Sequence, residues 1–468
     1  MGRLRATYRH PGASAYLRPG GAWDVPTLDA LLTARAPWPD DDAVARVAGG
    51  LRAQGVGRGD VVAWQLPNVP EAMLLYRACW RLGAIAGPIH HQAGAAEVER
   101  MLAVLDARVV VEPDAPLPDG APVTRSAAKA SDLAVALFTG GSTGAPKAVL
   151  HTHRGLAHKA LTMVRVHGLR KRDAVLMPAP LAHVSGLLNG LLVPGAAGMR
   201  TVLMARWDAE RALQLVQAET ITFMIGPPTF FVQLMAAPGF AAARVESLRL
   251  VSSGGAGVTP SFVIEATERL GARVKRSYGS TEAPTITSST SRDSARRAAE
   301  TDGRPVDQCE LHLAPDGELW LRGPELFAGY ADPLETREAV TRGWFRTGDL
   351  ATVDRSGWLT IVGRKKDVII RGGENIAAAE VEDALVAHPA VREAVAVGYP
   401  DAQLGERVCA FVISDAPFDL EACRAWFAER GIARFKTPER VVRVDVLPVL
   451  AAGKVDRAAL KDHAATLA

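Results

Sequence analysis

The stretch of this sequence with the most evident chemistry runs from Thr139 to Lys147 and reads TGGSTGAPK. Glycines let backbone N–H groups approach phosphate oxygens, hydroxyls add donors and a metal ligand, and a lysine adds positive charge. The loop differs from a Walker loop, because Pro146 occupies the glycine position before Lys147 and Ala148 follows where Ser or Thr is required. Taken alone, this composition fits a phosphate-binding loop and a flexible surface loop equally well.

An ordered series of further motifs accompanies the loop. The motifs are Pro180–His183 (PLAH), Ser253–Ala256 (SGGA), Tyr278–Glu282 (YGSTE), Gly317–Leu319 (GEL), Gly329–Tyr330, Trp344–Asp349 (WFRTGD), Gly363–Asp367 (GRKKD), Gly372–Ile376 (GGENI) and Gly453–Lys454. In this order they resemble the signatures of the adenylate-forming superfamily, and most closely its acid–CoA ligase branch. Recognisable positions extend from Gly59 to Leu460.

The resemblance implies a two-step reaction. ATP first turns a carboxylic acid into an acyl adenylate with loss of pyrophosphate, and CoA then takes the acyl group as a thioester. ATP and CoA would be substrates, Mg2+ the metal, and no organic cofactor would be tightly bound. Thr143 and Glu282 match the positions that hold the metal. Lys454 matches the lysine that reaches the carboxylate and the α-phosphate together, although a bare lysine is by default an exposed surface residue.

Other matched positions fall into three groups. Tyr278 matches the aromatic residue beside adenine, and Asp349 matches the carboxylate that accepts hydrogen bonds from the ribose hydroxyls. The remaining nucleotide-binding matches are Thr139, Gly140, Gly141, Ser142, Gly144, Lys147, Gly255, Ala256, Gly279, Thr281 and Arg364. The matches for acyl or CoA binding are His183, Ser185, Gly186, Gly254 and Gly373, with Lys366 at the hinge of a mobile C-terminal domain. His183 is assigned to an acyl gate without a catalytic role.

The chain departs from the family pattern at several positions. Gly140 stands where many relatives have serine, and Ala148 where they have glycine. The stretch before Lys454 lacks the usual basic residue, threonine and serine. The segment around residues 35–40 passes straight through where relatives insert a β-hairpin, so we expect an altered lobe shape with the chemistry retained.

The residues expected around the acyl group are small or apolar, and no acid stands in the gate motif to meet an amino group. An apolar acid, whether fatty, alicyclic or aromatic, is therefore favoured over an amino acid. Two alternatives stay open: an acyl-AMP ligase that loads a carrier protein, and an inactive nucleotide-binding relative. The second would be expected to lack Lys454, Glu282 or Asp349, and all three are present.

The hydrophobic pattern predicts the elements that carry these residues. Strand, helix and strand alternate from Val61 to Val111, which indicates a parallel α/β sheet. A helix is predicted to begin with Thr259 as N-cap and Pro260 at its first position. Ser288–Asp302 is expected to be an exposed polar loop. The fold class is α/β, with a large multi-sheet N-terminal domain over residues 1–363 and a small mobile α+β C-terminal domain over 364–468.

Composition bears on the partners and the cellular location of the protein. The 468 residues carry 54 basic and 51 acidic side chains, a balance that excludes a whole-chain field for nucleic acid. No apolar run predicts a membrane span, and the four cysteines lie far apart. We therefore expect a cytoplasmic protein with free thiols and small-molecule partners. The oligomeric state is left open.

Overall fold

The computed structural model describes residues 4–35, 39–140, 146–240, 244–255, 257–372, 374–449 and 455–467. The chain divides into two structural units. The first contains Met1–Leu311 and Trp320–Arg346, and the second contains His312–Leu319 and Thr347–Ala468. The predicted domain boundary at Arg364 was placed at an expected hinge, and it stays a prediction.

The first unit begins with three helices, α1 (Ala13–Tyr16), α2 (Leu28–Arg35) and α3 (Asp41–Ala53). The predicted alternation of strands and helices follows as β1 (Val61–Trp64), α4 (Pro70–Leu82), β2 (Ile85–Pro88), α5 (Ala95–Leu105) and β3 (Val109–Val111). Gly83 ends α4 in the left-handed conformation that favours glycine. Two further strands, β4 (Leu133–Gly140) and β5 (Pro146–Thr152), complete a five-stranded sheet of order β3-β1-β2-β4-β5. Strands β1, β2 and β3 run parallel, as predicted; β4 is also parallel to β2, and β5 is antiparallel to β4.

A second, seven-stranded sheet follows in the same unit. Its elements and flanking helices are α6 (His153–His167), β6 (Ala174–Met177), α7 (Val184–Leu187), α8 (Val193–Ala197), β7 (Arg200–Leu203), α9 (Ala209–Ala218), β8 (Phe223–Gly226), α10 (Pro228–Ala236), β9 (Leu250–Ser253), α11 (Pro260–Leu270), β10 (Arg273–Tyr278), β11 (Thr287–Ser288), α12 (Ala295–Glu300) and β12 (Arg304–Pro305). The strand order is β12-β11-β10-β9-β8-β6-β7, with the central strands parallel. Their carboxyl ends therefore meet at one edge, where α/β enzymes bind ligands.

Helix α11 shows how local sequence builds this layer. Thr259 caps it by accepting a 3.2 Å hydrogen bond from the Phe262 N–H, and Pro260 begins it. Its buried side chains are Phe262, Val263, Ala266 and Leu270, the predicted face. One neighbouring prediction is wrong. Residues 288–302 contain helix α12, and the last of them, Asp302, forms a buried ion pair with Arg276, with Oδ2 2.8 Å from Nη2. The segment is therefore not an exposed loop.

The elements that follow include the strands of a third sheet. They are β13 (Glu310–Leu313), β14 (Glu318–Arg322), α13 (Pro333–Ala339), β15 (Val340–Thr341), β16 (Trp344–Val353) and β17 (Leu359–Arg364). Strand β16 pairs with β17 so that Asp349 lies opposite Arg364. This register brings together two residues that are 15 positions apart in sequence.

The small unit continues with a mixed sheet and three helices. Its elements are β18 (Val368–Arg371), β19 (Glu374–Ala377), α14 (Ala378–Val386), β20 (Val391–Asp401), β21 (Gly405–Ser414), α15 (Leu420–Glu429), β22 (Arg440–Arg443) and α16 (Arg457–Thr466). The strand order is β19-β18-β21-β20, and β22 runs parallel to β21. A core that includes Ile376, Val381, Ala410 and Phe427 holds the helices against the sheet. The chain is thus α/β, with a large multi-sheet N-terminal part and a smaller α+β C-terminal part, as predicted.

Two expectations about the whole chain can be compared with the structure. All four cysteines are buried and free of disulfide bonds among the described residues. In the described chain, no helix is both long enough and apolar enough to cross a bilayer.

Candidate active site

The two ends of the predicted phosphate loop belong to a pair of antiparallel strands. Strands β4 and β5 pair up to Thr139 opposite Lys147 and Gly140 opposite Pro146, so both ends of the predicted loop are strand residues. Gly141, Ser142, Thr143 and Gly144 lie outside the described residues. The hairpin fixes where the loop leaves and re-enters the sheet, because its final pairs lie directly beside it.

The edge of β5 carries the segment that follows Phe327. The Leu150 N–H donates to the Gly329 carbonyl at 2.9 Å, and Val149 forms an antiparallel bridge with Tyr330. The Phe327 N–H donates in turn to the Glu282 carbonyl at 2.8 Å. Backbone hydrogen bonds therefore connect the hairpin to the YGSTE turn.

A buried histidine on β5 holds the same turn from a second direction. Nε2 of His151 lies 2.7 Å from the carbonyl oxygen of Thr281, which it reaches as a donor. Burial lowers the pKa of His151 to about 4, so the ring is neutral and carries its proton on Nε2. With its backbone held at Thr281 and Glu282, the turn has a defined position relative to the β4–β5 hairpin.

The Glu282 carboxylate has a tyrosine partner. The hydroxyl of Tyr330 donates a 2.7 Å hydrogen bond to Oε1 of Glu282. Burial and the adjacent Glu282 carboxylate raise the pKa of Tyr330 well above its usual value, so the phenol stays a donor at neutral pH. Lys147 Nζ lies 5.6 Å from the centroid of the Tyr330 ring and 3.3 Å from Oε1 of Glu335. The hairpin lysine and the predicted metal ligand thus contact the same tyrosine.

The glycines of the SGGA and YGSTE motifs stand at the carboxyl edge of the seven-stranded sheet. A Cβ atom on Gly254 would lie 2.3 Å from the Ser277 carbonyl oxygen, and one on Gly279 would lie 2.3 Å from the Thr285 nitrogen. Gly255 has a φ of +79°, which also favours glycine. Tyr278 is the last residue of β10 and pairs with Thr287 of β11. Close backbone packing therefore fixes where the predicted adenine site begins, while Ala256 lies outside the described residues.

A buried ion pair contacts the backbone at Thr285, just after the YGSTE turn. Lys159 Nζ lies 2.9 Å from Oε1 of Glu325 and donates to the Thr285 carbonyl at 3.0 Å. Both side chains of the pair have 0% exposure, and Thr285 has a φ of +40°. The lysine therefore binds the carbonyl of the residue whose backbone nitrogen packs against Gly279.

The predicted acyl gate is part of a group of histidines. The ring of His183 lies 4.9 Å from that of His90, which stacks in turn on His91 at 4.7 Å. Burial lowers the pKa of His90 to about 4, with His91 as a smaller cause. Gly186 packs on the chain before the gate, since a Cβ atom there would lie 2.0 Å from the Pro180 carbonyl oxygen. The Ser185 carbonyl accepts a 3.0 Å hydrogen bond from Asn189.

Two aromatic residues near the same sheet edge were missed by the sequence reasoning. The ring of Trp207 stacks on that of Phe230 at 4.4 Å, and a Cβ atom on Gly226 would lie 2.7 Å from the Phe230 ring. Gly226 is the last residue of β8, beside Ser253 of β9. The Pro227–Pro228 pair after a buried strand was the signal that could have found them, because it begins a helix at a sheet edge.

In the small unit, two predicted nucleotide contacts meet each other. Arg364 Nε lies 2.9 Å from Oδ1 of Asp349, whose side chain is 5% exposed. Lys365 Nζ lies 2.6 Å from Oδ2 of Asp316 and 3.3 Å from Oε2 of Glu318. Lys366, the predicted hinge residue, is exposed. The Gly348 N–H donates to Glu318 at 3.2 Å, which holds the turn before Asp349.

Lys454 and Gly373 lie outside the described residues, but their flanks are described. Val449 forms an antiparallel bridge with Val455, and Arg371 pairs with Glu374 across the turn that contains Gly373. Among the described side chains, no group of three or more His, Cys, Asp or Glu residues is arranged to hold a metal ion. Each unit thus gathers its own part of the predicted site.

Comparison with known proteins identifies the family. The profile described as AMP-binding enzyme matches residues 41–331, and that of the AMP-binding enzyme C-terminal domain matches residues 380–454. The chain belongs to the AMP-binding enzyme family. The first match covers the β4–β5 hairpin, the sheet-edge glycines and Tyr330, and the second begins in α14 and ends at Lys454.

Relatives of this AMP-binding enzyme are named as CoA ligases. It is 32% identical to a medium-chain fatty-acid–CoA ligase from Escherichia coli, over 90% of this chain and 84% of the relative. It is 32% identical to an indoleacetate–CoA ligase from Aromatoleum aromaticum, over 88% and 90% of the two chains. A sulfoacetate–CoA ligase from Cupriavidus necator is 33% identical over 94% and 98%. The chain is thus an adenylate-forming enzyme of the acid–CoA ligase branch, an acid–thiol ligase.

Solved structures of similar proteins agree with the fold. ATP-bound MatB from Rhodopseudomonas palustris aligns with a TM-score of 0.84 at 27% identity, over 93% of this chain and 98% of that one. The amide bond synthetase McbA from Marinactinospora thermotolerans aligns with a TM-score of 0.82 at 30% identity, over 90% and 93%. Both similarities extend over nearly the whole chain.

Proposed function

We propose that this AMP-binding enzyme is an ATP-dependent acid–CoA ligase acting on an apolar carboxylic acid. The observation that carries the proposal is the Glu282–Tyr330–Lys147 group beside the β4–β5 hairpin, in a chain related to CoA ligases along nearly its full length. It joins an acceptor carboxylate, a fixed phenol donor and a lysine within one unit. These are groups suited to a nucleotide's phosphates and their metal.

In the first half-reaction, a carboxylate oxygen attacks the α-phosphorus of ATP and pyrophosphate leaves. We assign phosphate binding to Thr139, Lys147 and the loop between them, and assign adenine contact to Tyr278 with Gly255, Ala256, Gly279 and Thr281. Asp349 would accept hydrogen bonds from the ribose hydroxyls. Its pairing with Arg364 supports a nucleotide role for both, because the guanidinium keeps the buried carboxylate paired until hydroxyl donors arrive.

The donor set fits Mg2+. This ion takes oxygen ligands, commonly one or two from the protein with the rest from water and substrate phosphates, so no larger cluster is required. Glu282 supplies a carboxylate and Thr143 a hydroxyl. Bound there, the ion would offset charge on the phosphates. Tyr330 would orient the Glu282 carboxylate, and Lys147 would bind phosphate oxygens.

Lys454 would neutralise the carboxylate and α-phosphate as they approach each other. In the second half-reaction the CoA thiolate attacks the acyl carbonyl and AMP leaves. Gly373 would leave room for the pantetheine chain, and Lys366 would serve as the hinge about which the C-terminal domain, residues 364–468, turns between half-reactions.

We assign the acyl group to the region of His183, Ser185, Gly186 and Gly254. The neutral imidazole of His90 and the Trp207–Phe230 stack add apolar and aromatic surface, which supports an apolar acid. The relatives act on diverse acids by name, sulfoacetate included, so the acid class requires a direct test. We place the enzyme in the cytoplasm, where ATP and CoA are supplied.

The test is a panel of acids incubated with ATP, Mg2+ and either CoA, a holo-carrier protein or neither. We expect AMP and a thioester with CoA, and the highest kcat/KM for apolar acids. Transfer only to the carrier would favour the acyl-AMP ligase alternative, and no AMP with any acid would favour an inactive relative. A preference for sulfoacetate or amino acids would contradict the apolar pocket.

A further inference from the structure

The residues that flank Lys454 are held together within the small unit. Val449 bridges Val455 on the two sides of the loop, and the Asp456 N–H donates to the Pro448 carbonyl at 2.8 Å. Asp456 then caps α16 by accepting from the Ala458 and Ala459 N–H groups at 3.1 Å. Helix α16 therefore begins three residues after Lys454.

Arg457, the first residue of α16, connects these flanking residues to the rest of the unit. Its Nη2 lies 2.6 and 2.8 Å from the two oxygens of Glu382 on α14, and its Nη1 donates to the Ala396 carbonyl at 2.9 Å. The Ala396 N–H donates to Glu382 Oε1 at 2.8 Å. Because Ala396 lies on β20, one guanidinium joins the start of α16 to another helix and a strand of the small unit.

General helix stability does not account for this arginine. A positive charge at a helix N-terminus is unfavourable with respect to the helix dipole, and acidic residues are preferred there. Glu382 offsets that cost with a bidentate pair that is mostly buried, its side chain being 16% exposed and that of Arg457 30%. The arginine is unfavourable for the dipole of α16, but its pair with Glu382 fixes the orientation of the start of that helix, as expected of a positioning group.

The same guanidinium also approaches the hinge segment. Arg457 Nε lies 4.0 Å from Oδ2 of Asp367, the residue after Lys366. At this distance the contact is much longer than the pair with Glu382, so Glu382 is the principal partner of Arg457.

We infer that Arg457 is a positioning residue for the adenylation half-reaction, fixing the chain on the C-terminal side of Lys454 through its pair with Glu382. This inference rests on the proposed role of Lys454. It applies to adenylation alone, because thioester formation does not require that lysine. Small displacements of a positioned group cost about a hundredfold in rate.

The test compares the two half-reactions in the full-length chain. Adenylation is followed by pyrophosphate exchange, and thioester formation by the reaction of a supplied acyl adenylate with CoA. We expect Arg457→Gln to lower kcat for adenylation about 10- to 100-fold, to leave KM for ATP within about twofold, and to leave thioester formation within about twofold. Arg457→Lys keeps the charge but loses the bidentate geometry, so it should fall between the variant and the parent.

Controls separate the possible failures. Arg392→Gln breaks an exposed pair with Asp415 in the same unit and should leave both half-reactions unchanged. In a Lys454→Ala background, Arg457→Gln should add no further loss of adenylation. Undiminished adenylation by Lys454→Ala alone would contradict the proposed function of the lysine. Impaired Lys454→Ala with normal Arg457→Gln would contradict only the inference.

Folding is checked by circular dichroism and thermal unfolding of each variant. An Arg457→Gln variant that loses both half-reactions equally would overturn the inference. If Arg457→Gln is unfolded, Arg457→Lys decides by the same criterion. Unfolding of both would show that the pair serves stability only and would also overturn it.

Discussion

The hydroxyl of Tyr330 donates a 2.7 Å hydrogen bond to the carboxylate of Glu282, while Lys147 Nζ lies 5.6 Å from the centroid of the same ring. The three residues come from three separate segments of the chain. They meet because the segment after Phe327 pairs along β5 and also bonds to the backbone of Glu282.

Replacing the Tyr330 hydroxyl tests this relationship. Tyr330→Phe keeps the ring beside Lys147 but removes the donor to Glu282. A hydrogen bond to a charged group contributes about 1.5–3 kcal/mol, which is about 10- to 150-fold in rate, so we expect adenylation to slow by a factor in that range, with a higher Mg2+ concentration needed for half-maximal rate. Tyr330→Leu, which also removes the ring, should be slower still. Unchanged rate and Mg2+ dependence in Tyr330→Phe would contradict the role given to the phenol.

Gly279 should tolerate no side chain. A methyl group there would lie 2.3 Å from the Thr285 nitrogen, so the backbone of the YGSTE turn must shift. We expect Gly279→Ala to raise KM for ATP at least about tenfold, since misplacement by about 1 Å is costly at a binding site. Gly57→Ala is the matched control, because its Cβ would meet only Asp60 Oδ2 at 3.7 Å. Equal ATP kinetics in the two variants would contradict the close approach.

The buried Lys159–Glu325 pair should be essential for stability. Removing one partner leaves the other charge buried and uncompensated, which typically costs about 3–5 kcal/mol. We therefore expect Lys159→Met to lower the free energy of unfolding by that amount in urea titrations. The double variant Lys159→Met with Glu325→Leu should recover much of the loss. A single variant as stable as the parent would contradict the assignment of a buried charged pair.

Acid should destabilise the fold before carboxylates protonate. Burial lowers the pKa of His151 and of His153 from 6.5 to about 4 in the folded chain. Between these values the unfolded chain binds more protons, so the free energy of unfolding falls as the pH drops from 6.5 toward 4, by up to about 3 kcal/mol for each group. Urea titrations at pH 7, 6 and 5 measure this trend. A free energy of unfolding that stays constant over that range would contradict it.

A matched pair of variants localises the pH effect. Burial lowers the pKa of His167 well below its usual value, and neither of its ring nitrogens has a hydrogen-bond partner in the described structure. His167→Leu should therefore reduce the dependence of stability on pH. His312→Gln changes an exposed histidine and should leave that dependence as it is in the parent.

Local sequence signals predicted an element correctly where that element depends only on residues close to it in sequence. The N-cap Thr259, the first-turn Pro260 and the apolar spacing defined α11 and its buried face, because capping and periodicity depend only on neighbouring residues. The segment 288–302 was misjudged because its polar residues find buried partners elsewhere, as Asp302 does in Arg276. Composition cannot reveal a partner that the tertiary structure supplies.

The candidate site also combines features that the sequence predicted with features that it did not. Its motifs were visible because phosphate binding needs glycines, hydroxyls and a lysine in a short stretch. Three contacts could not be predicted from the sequence, because they depend on strand register and on packing between distant segments. They are the Trp207–Phe230 stack, the Lys159–Thr285 contact and the pairing of Asp349 with Arg364. A single sequence carries no direct record of such register.

The most direct test of the central claim follows the oxygen of the acid. An active apolar acid labelled with 18O in its carboxylate is converted in the presence of ATP and CoA, and the products are analysed by mass spectrometry. Attack of the carboxylate on the α-phosphorus, followed by thiolysis at the acyl carbon, predicts one 18O atom in each AMP. Label found in inorganic phosphate together with ADP, or AMP without label, would contradict formation of an acyl adenylate.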